Sequence, residues 1–225
     1  MNKPSSDYAY SESGKSGANT NFKTTEAYKS IRTNLLFTLA NAQNKIIVTS
    51  SPEPGTGKST ISYNLSRTMA LSAERVLLID ADMRKPMQHK LYKVPNSNGL
   101  SKLLSGDVDV AKNTHFKVAP SLDLITAGPI PPNPSELLGS KRMAELLEAL
   151  SDQYDYIFID TPPVRVVTDA LLLAHLAAGI VLVVRQRYTT YEDLEKAVGN
   201  IKDTNFNVLG VIVNDVHSGL GGYYY

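Results

Sequence analysis

The chain has 225 residues, 42% hydrophobic and 20% charged, a globular composition that excludes a disordered, collagen-like or coiled-coil bulk. Its 23 basic and 22 acidic residues leave a formal charge of +1, so there is no excess of basic charge for an extended nucleic-acid surface, and no nucleic-acid partner is expected. The absence of cysteine removes disulfides, thiolate zinc sites and thiol nucleophiles, and His89, His115, His175 and His217 do not pair at metal-ligand spacing.

In chain order, MNKPSSDYAYSESGKSGANTN is rich in Ser, Gly and Asn and lacks the apolar core of a signal peptide, which predicts a disordered cytoplasmic arm over residues 1–22. From Thr24 to about Gln43, Ile31, Leu35 and Leu39 recur every fourth residue with Leu36 beside them, one face of an amphipathic helix that Thr24 or Thr25 can cap. KIIVT (45–49) reads as a strand, TISYNLSRTMALS (60–72) as a helix and VLLID (76–80) as a buried strand. Further strands are expected at 122–126, 154–160, 179–184 and 208–214, with helices at 134–153 and 190–203. The apolar run Ala170–Val184 is broken by His175 and Gly179 and is too short to span a bilayer, so it reads as a helix end followed by a strand. Continuous Val, Ile and Leu strands separated by helices predict an α/β fold with a mostly parallel central sheet flanked by helices. The expected division is an arm at 1–22, one domain at 23–214 and a flexible tail at 215–225, where three tyrosines, Tyr223, Tyr224 and Tyr225, follow a Gly-rich stretch.

The strongest chemical signal is SSPEPGTGKST (50–60), between a predicted strand and a predicted helix. Such a loop encloses phosphate with backbone N–H groups and a helix N-terminus, while Lys58 reaches the β- and γ-phosphates and Ser59 offers a hydroxyl to Mg²⁺. Gly55 and Gly57 permit the backbone angles; Pro52 occupies the place of the usual first Gly. A dinucleotide fingerprint fails because Thr60 takes the third glycine position. Asp80 and Asp82 follow one strand and Asp160 ends another, and parallel sheets place ligands at the carboxyl ends of their strands, so these carboxylates are expected to meet the phosphates as metal ligands or as a base. Lys58 is expected to neutralise phosphate rather than to support the core.

PEPGTGKST, LLIDADMRKP and IFIDTPP, with NGLSKLLSG and GPIPPNPSELL between them, resemble the bacterial tyrosine kinases, relatives of the MinD and ParA P-loop ATPases, in one register from about Glu26 to Asn214. The resemblance implies a Walker A motif at Gly55, Thr56, Gly57, Lys58, Ser59 and Thr60, a Walker A′ motif at Asp80, Asp82 and Arg84, and a Walker B aspartate at Asp160. It implies ATP as substrate and Mg²⁺ at Ser59, Asp82 and Asp160; catalytic roles fall to Lys58, Asp80, Asp82 and Asp160, with Asp80 ranked first as base. Asn214 sits where MinD-like ATPases recognise adenine, and the phosphoacceptors are Tyr223, Tyr224 and Tyr225. The family's helical oligomerisation motif, Glu-x-x-Arg-x-x-Arg, reads Glu26, Lys29 and Arg32; Lys29 departs from it and lacks the planar fork of arginine.

The implied activity is an ATP-dependent protein-tyrosine kinase that phosphorylates its own tail in trans and other protein tyrosines. The implied assembly is a homo-oligomeric ring. As in the split form of the family, the kinase would act with the cytoplasmic tail of a separate transmembrane polysaccharide co-polymerase adaptor in capsule or exopolysaccharide synthesis, which places it in the cytoplasm at the inner face of the membrane. The rival is a MinD/ParA-like ATPase switch that dimerises on a membrane or DNA without kinase activity. Against it, Ser51, Pro52, Glu53 and Pro54 occupy the stretch where those switches carry a signature lysine, and a switch has no use for a cluster of acceptors.

Overall fold

The computed structural model describes residues 14–72 and 75–216, with side chains from Phe22 onward. Seven strands form one sheet: β1 (Ile46–Ser50), β2 (Val76–Asp80), β3 (His115–Ala119), β4 (Leu122–Ile125), β5 (Tyr156–Asp160), β6 (Gly179–Arg185) and β7 (Val208–Asn214), in the order β3-β4-β2-β5-β1-β6-β7. All neighbours are parallel except β3 and β4. β3 is the strand that apolar patterning misses: it is half-exposed at the sheet edge, Lys117 within it takes a positive φ of 54°, and its register with β4 is irregular.

The helices are α1 (Gly14–Thr38), α2 (Lys58–Ala70), α3 (Gln88–Tyr92), α4 (Leu100–Ser105), α5 (Pro134–Leu138), α6 (Lys141–Ser151), α7 (Asp169–Ala174) and α8 (Tyr191–Lys202). Strand residues alternate between two cores, one on each face of the sheet. Val48, Leu77, Ile79, Ile157 and Ile159 meet α4 to α8, whereas Ile47, Val76, Leu78 and Phe158 meet α1 and α2. The predicted face of α1 is the one used, for Leu35 and Leu39 are buried and Ile31 and Leu36 pack at their edge.

Two boundaries differ from expectation. α1 begins at Gly14, so residues 14–22 belong to a helix rather than to a disordered arm, and Thr24 and Thr25 lie inside it rather than at its cap. Ser, Gly and Asn are poor helix formers, but lengthening an anchored helix needs no new nucleus. The single helix expected at 134–153 is two, because Gly139 ends α5 and Ser140, in extended backbone, caps α6 by accepting from the Met143 N–H at 3.3 Å.

β2, β5 and β1 are consecutive in the sheet, and their carboxyl ends stand together: Thr49, next to last in β1, registers with Asp160, and Asp160 with Asp80. Chain crossovers thus bring three segments far apart in sequence to one edge.

Candidate active site

After Ser50 the chain forms a loop that closes on α2 at Lys58. Gly55 and Gly57 take φ of +83° and +89°, a region costly to residues with a Cβ. Gly57 is also crowded, since a Cβ there would stand 2.3 Å from Asn214 Nδ2. Asn214, at the end of β7, donates to the Thr56 carbonyl at 2.8 Å and so braces the loop from outside. On another side Thr189 Oγ1 donates to Glu53 Oε1 at 2.5 Å, and the Tyr188 hydroxyl lies beside Gly55. No side chain caps the N-terminus of α2, which leaves its first N–H groups and the positive end of the helix dipole free for an anion.

Lys58 is buried, with Nζ 3.0 Å from Asp82 Oδ2, 3.5 Å from Asp160 Oδ1 and 3.3 Å from Ser59 Oγ. Burial pulls its pKa down, but the charges of Asp160 and Asp82 and the Asp82 hydrogen bond outweigh that, and the ammonium holds its proton more firmly than an ordinary lysine. Besides the phosphate role expected of it, Lys58 stands between two buried carboxylates whose charge it compensates.

Asp80 is wholly buried. Its Oδ1 accepts from the Asp82 N–H at 3.2 Å, and its Oδ2 from the Met87 and Gln88 N–H groups at 3.0 and 2.9 Å, so it ties the end of β2 to the start of α3. Burial, then the charge of Asp160, push its pKa up to about 8 against the opposing Gln88 N–H. Asp82 uses Oδ1 to accept from the Lys85 N–H at 3.0 Å and Oδ2 for Lys58. Asp160 Oδ2 accepts from Gln88 Nε2 at 2.8 Å, while its Oδ1 has no hydrogen-bond donor.

The donor set suits a hard cation: a hydroxyl at Ser59 and carboxylates at Asp82 and Asp160, one with an oxygen free of hydrogen bonds. Among the described residues no three acidic or histidine side chains could hold a metal by themselves, so phosphate oxygens and water must complete the shell, the usual arrangement for Mg²⁺.

Sequence reasoning missed three contributors. Gln88 reaches both Asp160 and the Ser59 carbonyl. Arg84 turns to Asp169 Oδ2 at 3.3 Å and to Ser135 Oγ at 2.8 Å, and Ser135 donates to Asp169 Oδ1 at 2.6 Å. The quoted PPNPSELL segment held a signal for Ser135, but nothing in spacing marks Gln88 or Asp169. Glu26 and Lys29 pair with each other at 2.7 Å, and Arg32 donates to the Thr68 carbonyl on α2 at 3.1 Å. Tyr223, Tyr224 and Tyr225 lie outside the described residues.

A positive-φ glycine loop running into a helix, with carboxylates gathered from the ends of β2 and β5, defines a nucleotide-binding protein of the P-loop class. A family model described as an AAA domain matches residues 44–209. The chain is 36% identical over 200 residues to the putative tyrosine-protein kinase CapB of Staphylococcus aureus, covering 89% of this chain and 88% of CapB. It is 40% identical over 84% of its length to the putative tyrosine-protein kinase EpsB of Ralstonia nicotianae, of which it spans 25%. The kinase domain of the Escherichia coli tyrosine kinase ETK superposes with a TM-score of 0.83 at 35% identity, over 89% of this chain and 79% of that one. MinD of Pyrococcus horikoshii, at 22% identity and a TM-score of 0.66, shares the fold. The chain belongs to the bacterial tyrosine kinases and carries their kinase domain.

Proposed function

We propose that the chain transfers the γ-phosphoryl group of ATP to protein tyrosines, first to Tyr223, Tyr224 and Tyr225 of another copy in the same homo-oligomer. The observation that carries this reading is the meeting of Lys58 with Asp82 and Asp160 beside an uncapped helix N-terminus. In the proposed mechanism the loop N–H groups and Lys58 hold the β- and γ-phosphates, and Thr56, Ser59 and Thr60 complete the loop. Bound Mg²⁺ would neutralise phosphate charge, held by Ser59, Asp82 and Asp160. Asp80 is the base we assign, following the resemblance: it stands at the end of β2 in register with Asp160, and its Oδ1 accepts only one N–H. Asn214 is assigned to the adenine side, where it already braces the loop.

The wider reading rests on the resemblance and on relatives named EpsB and CapB. It comprises a ring built through Glu26, Lys29 and Arg32, and the tail of a transmembrane polysaccharide co-polymerase adaptor that holds the kinase at the inner face of the membrane. The output is control of capsule or exopolysaccharide synthesis. No helix among the described residues is long and apolar enough to cross a membrane. The test is incubation with labelled ATP and Mg²⁺, with and without adaptor tail peptide. Label on tyrosine supports the reading, whereas ATP hydrolysis without phosphotyrosine returns the chain to a MinD/ParA-like switch.

A further inference from the structure

Gln88 is the first residue of α3 and is wholly buried. Its Nε2 donates to Asp160 Oδ2 at 2.8 Å and to the Ser59 carbonyl at 3.0 Å, and its backbone N–H donates to Asp80 Oδ2 at 2.9 Å. One residue therefore touches the start of α2, the end of β2 and the end of β5. Both neighbours of the carboxamide are acceptors, so only its NH₂ group can face them, and chemistry settles the orientation of the amide. The consequence is a buried Oε1 with no hydrogen-bond partner. An orphaned acceptor is a cost, and here it accompanies two donors aimed at the site.

We propose that Gln88 is a positioning residue for the metal-bound nucleotide. By holding Asp160 through Oδ2, it stops the carboxylate from rotating and presents Oδ1, which has no hydrogen-bond donor, on the side of Lys58, 3.5 Å from the ammonium. The second bond, to the Ser59 carbonyl, sets that carboxylate at a fixed distance from the hydroxyl-bearing residue of the loop. Because Asp80 fastens the N–H groups of Met87 and Gln88, the clamp is anchored on β2 and does not depend on nucleotide for its place. Groups that orient metal ligands in this way commonly change metal affinity by about 10–100-fold when removed. The inference rests on the Mg²⁺–ATP reading of the site.

The experiment is binding of a fluorescent ATP analogue to the full chain, titrated with MgCl₂, for the wild type, Gln88→Met, Asp160→Asn and the double variant. Methionine matches the length of glutamine and has no donor. Gln88→Met should raise the Mg²⁺ concentration at the binding midpoint about tenfold and leave affinity without Mg²⁺ within about twofold. In the Asp160→Asn background the same replacement should move the midpoint less than about twofold, since the partner through which Gln88 acts has been altered. An unchanged midpoint in Gln88→Met overturns the proposal, as does an equal shift in both backgrounds, which would place the effect on the loop. If Gln88→Met does not fold, Gln88→Asn, whose amide is one methylene too short to reach both acceptors, carries the same comparison. Absence of any Mg²⁺ dependence in the wild type would sink the nucleotide-site reading and this inference with it; a Mg²⁺-dependent wild type with an indifferent Gln88 sinks only the inference.

Discussion

Lys58 has two partners before any nucleotide arrives, so its replacement has two consequences. Lys58→Met should reduce phosphotyrosine formation by about a thousandfold, the scale of losing one preorganised charge at a transferring group. It should also lower the stability of the nucleotide-free protein by up to about 3 kcal/mol, because the carboxylates of Asp82 and Asp160 lose their buried counter-charge. Autoradiography reads the first and urea denaturation the second; full stability with lost transfer would mean that the carboxylates need no counter-ion. Asp80 predicts a pH dependence of definite sign. With its folded pKa raised from 3.8 to about 8, the folded state keeps a proton that the unfolded state has released. Its contribution to stability is complete below about pH 4 and is lost as pH rises through about 8, at up to about 1.4 kcal/mol per pH unit for this one group. Melting temperatures of the wild type should fall across that window, and those of Asp80→Asn should fall less; parallel curves would dismiss Asp80 as the source.

At the scale of elements, the phosphate loop is held in shape by its neighbours as much as by its glycines. Asn214 on β7 and Thr189 after β6 grip it from outside, although both are distant in sequence. Gly57→Ala would force a Cβ into left-handed backbone, at roughly 1–2 kcal/mol, and into the Asn214 amide. Nucleotide affinity should drop at least about tenfold. Asn214→Ala alone should also weaken binding, because it removes a brace of the loop, but Gly57→Ala should cost less in that background than in the wild type, since the collision is gone and only the dihedral penalty remains. Calorimetric titration of the wild type, both single variants and the double variant decides it, and an equal cost of Gly57→Ala in the two backgrounds would put the whole cost in the dihedral.

For the whole molecule the proposal is transfer between copies, and the tail is what it must lose first. A chain cut after Ser218 should show most self-phosphorylation gone and nucleotide binding unchanged, because β7 ends at Asn214 and the loop contacts lie before the cut. Undiminished label would move the acceptors to Tyr8, Tyr10 or the tyrosines of the folded body. Three phosphates would add roughly −5 of charge per chain beside the site aspartates and bound nucleotide, a repulsion only partly screened at physiological salt. Light scattering should therefore find phosphorylated protein in smaller assemblies than phosphatase-treated protein, and equal oligomeric masses would refute that coupling.

The sequence by itself determined the class of fold, the loop and the three aspartates, because each is written locally: apolar strands, a glycine-rich turn before a helix, and acids at strand ends. The extra helical turns before Thr24, the break at Gly139 and the edge strand β3 were not legible, since anchoring and capping decided the first two and β3 has no apolar alternation to announce it. Only the tertiary structure brought Gln88 to Asp160, Asn214 to Thr56 and Arg84 to Asp169. Those pairs lie between 72 and 158 residues apart along the chain, and the order of strands in the sheet, which no local pattern encodes, is what makes them neighbours.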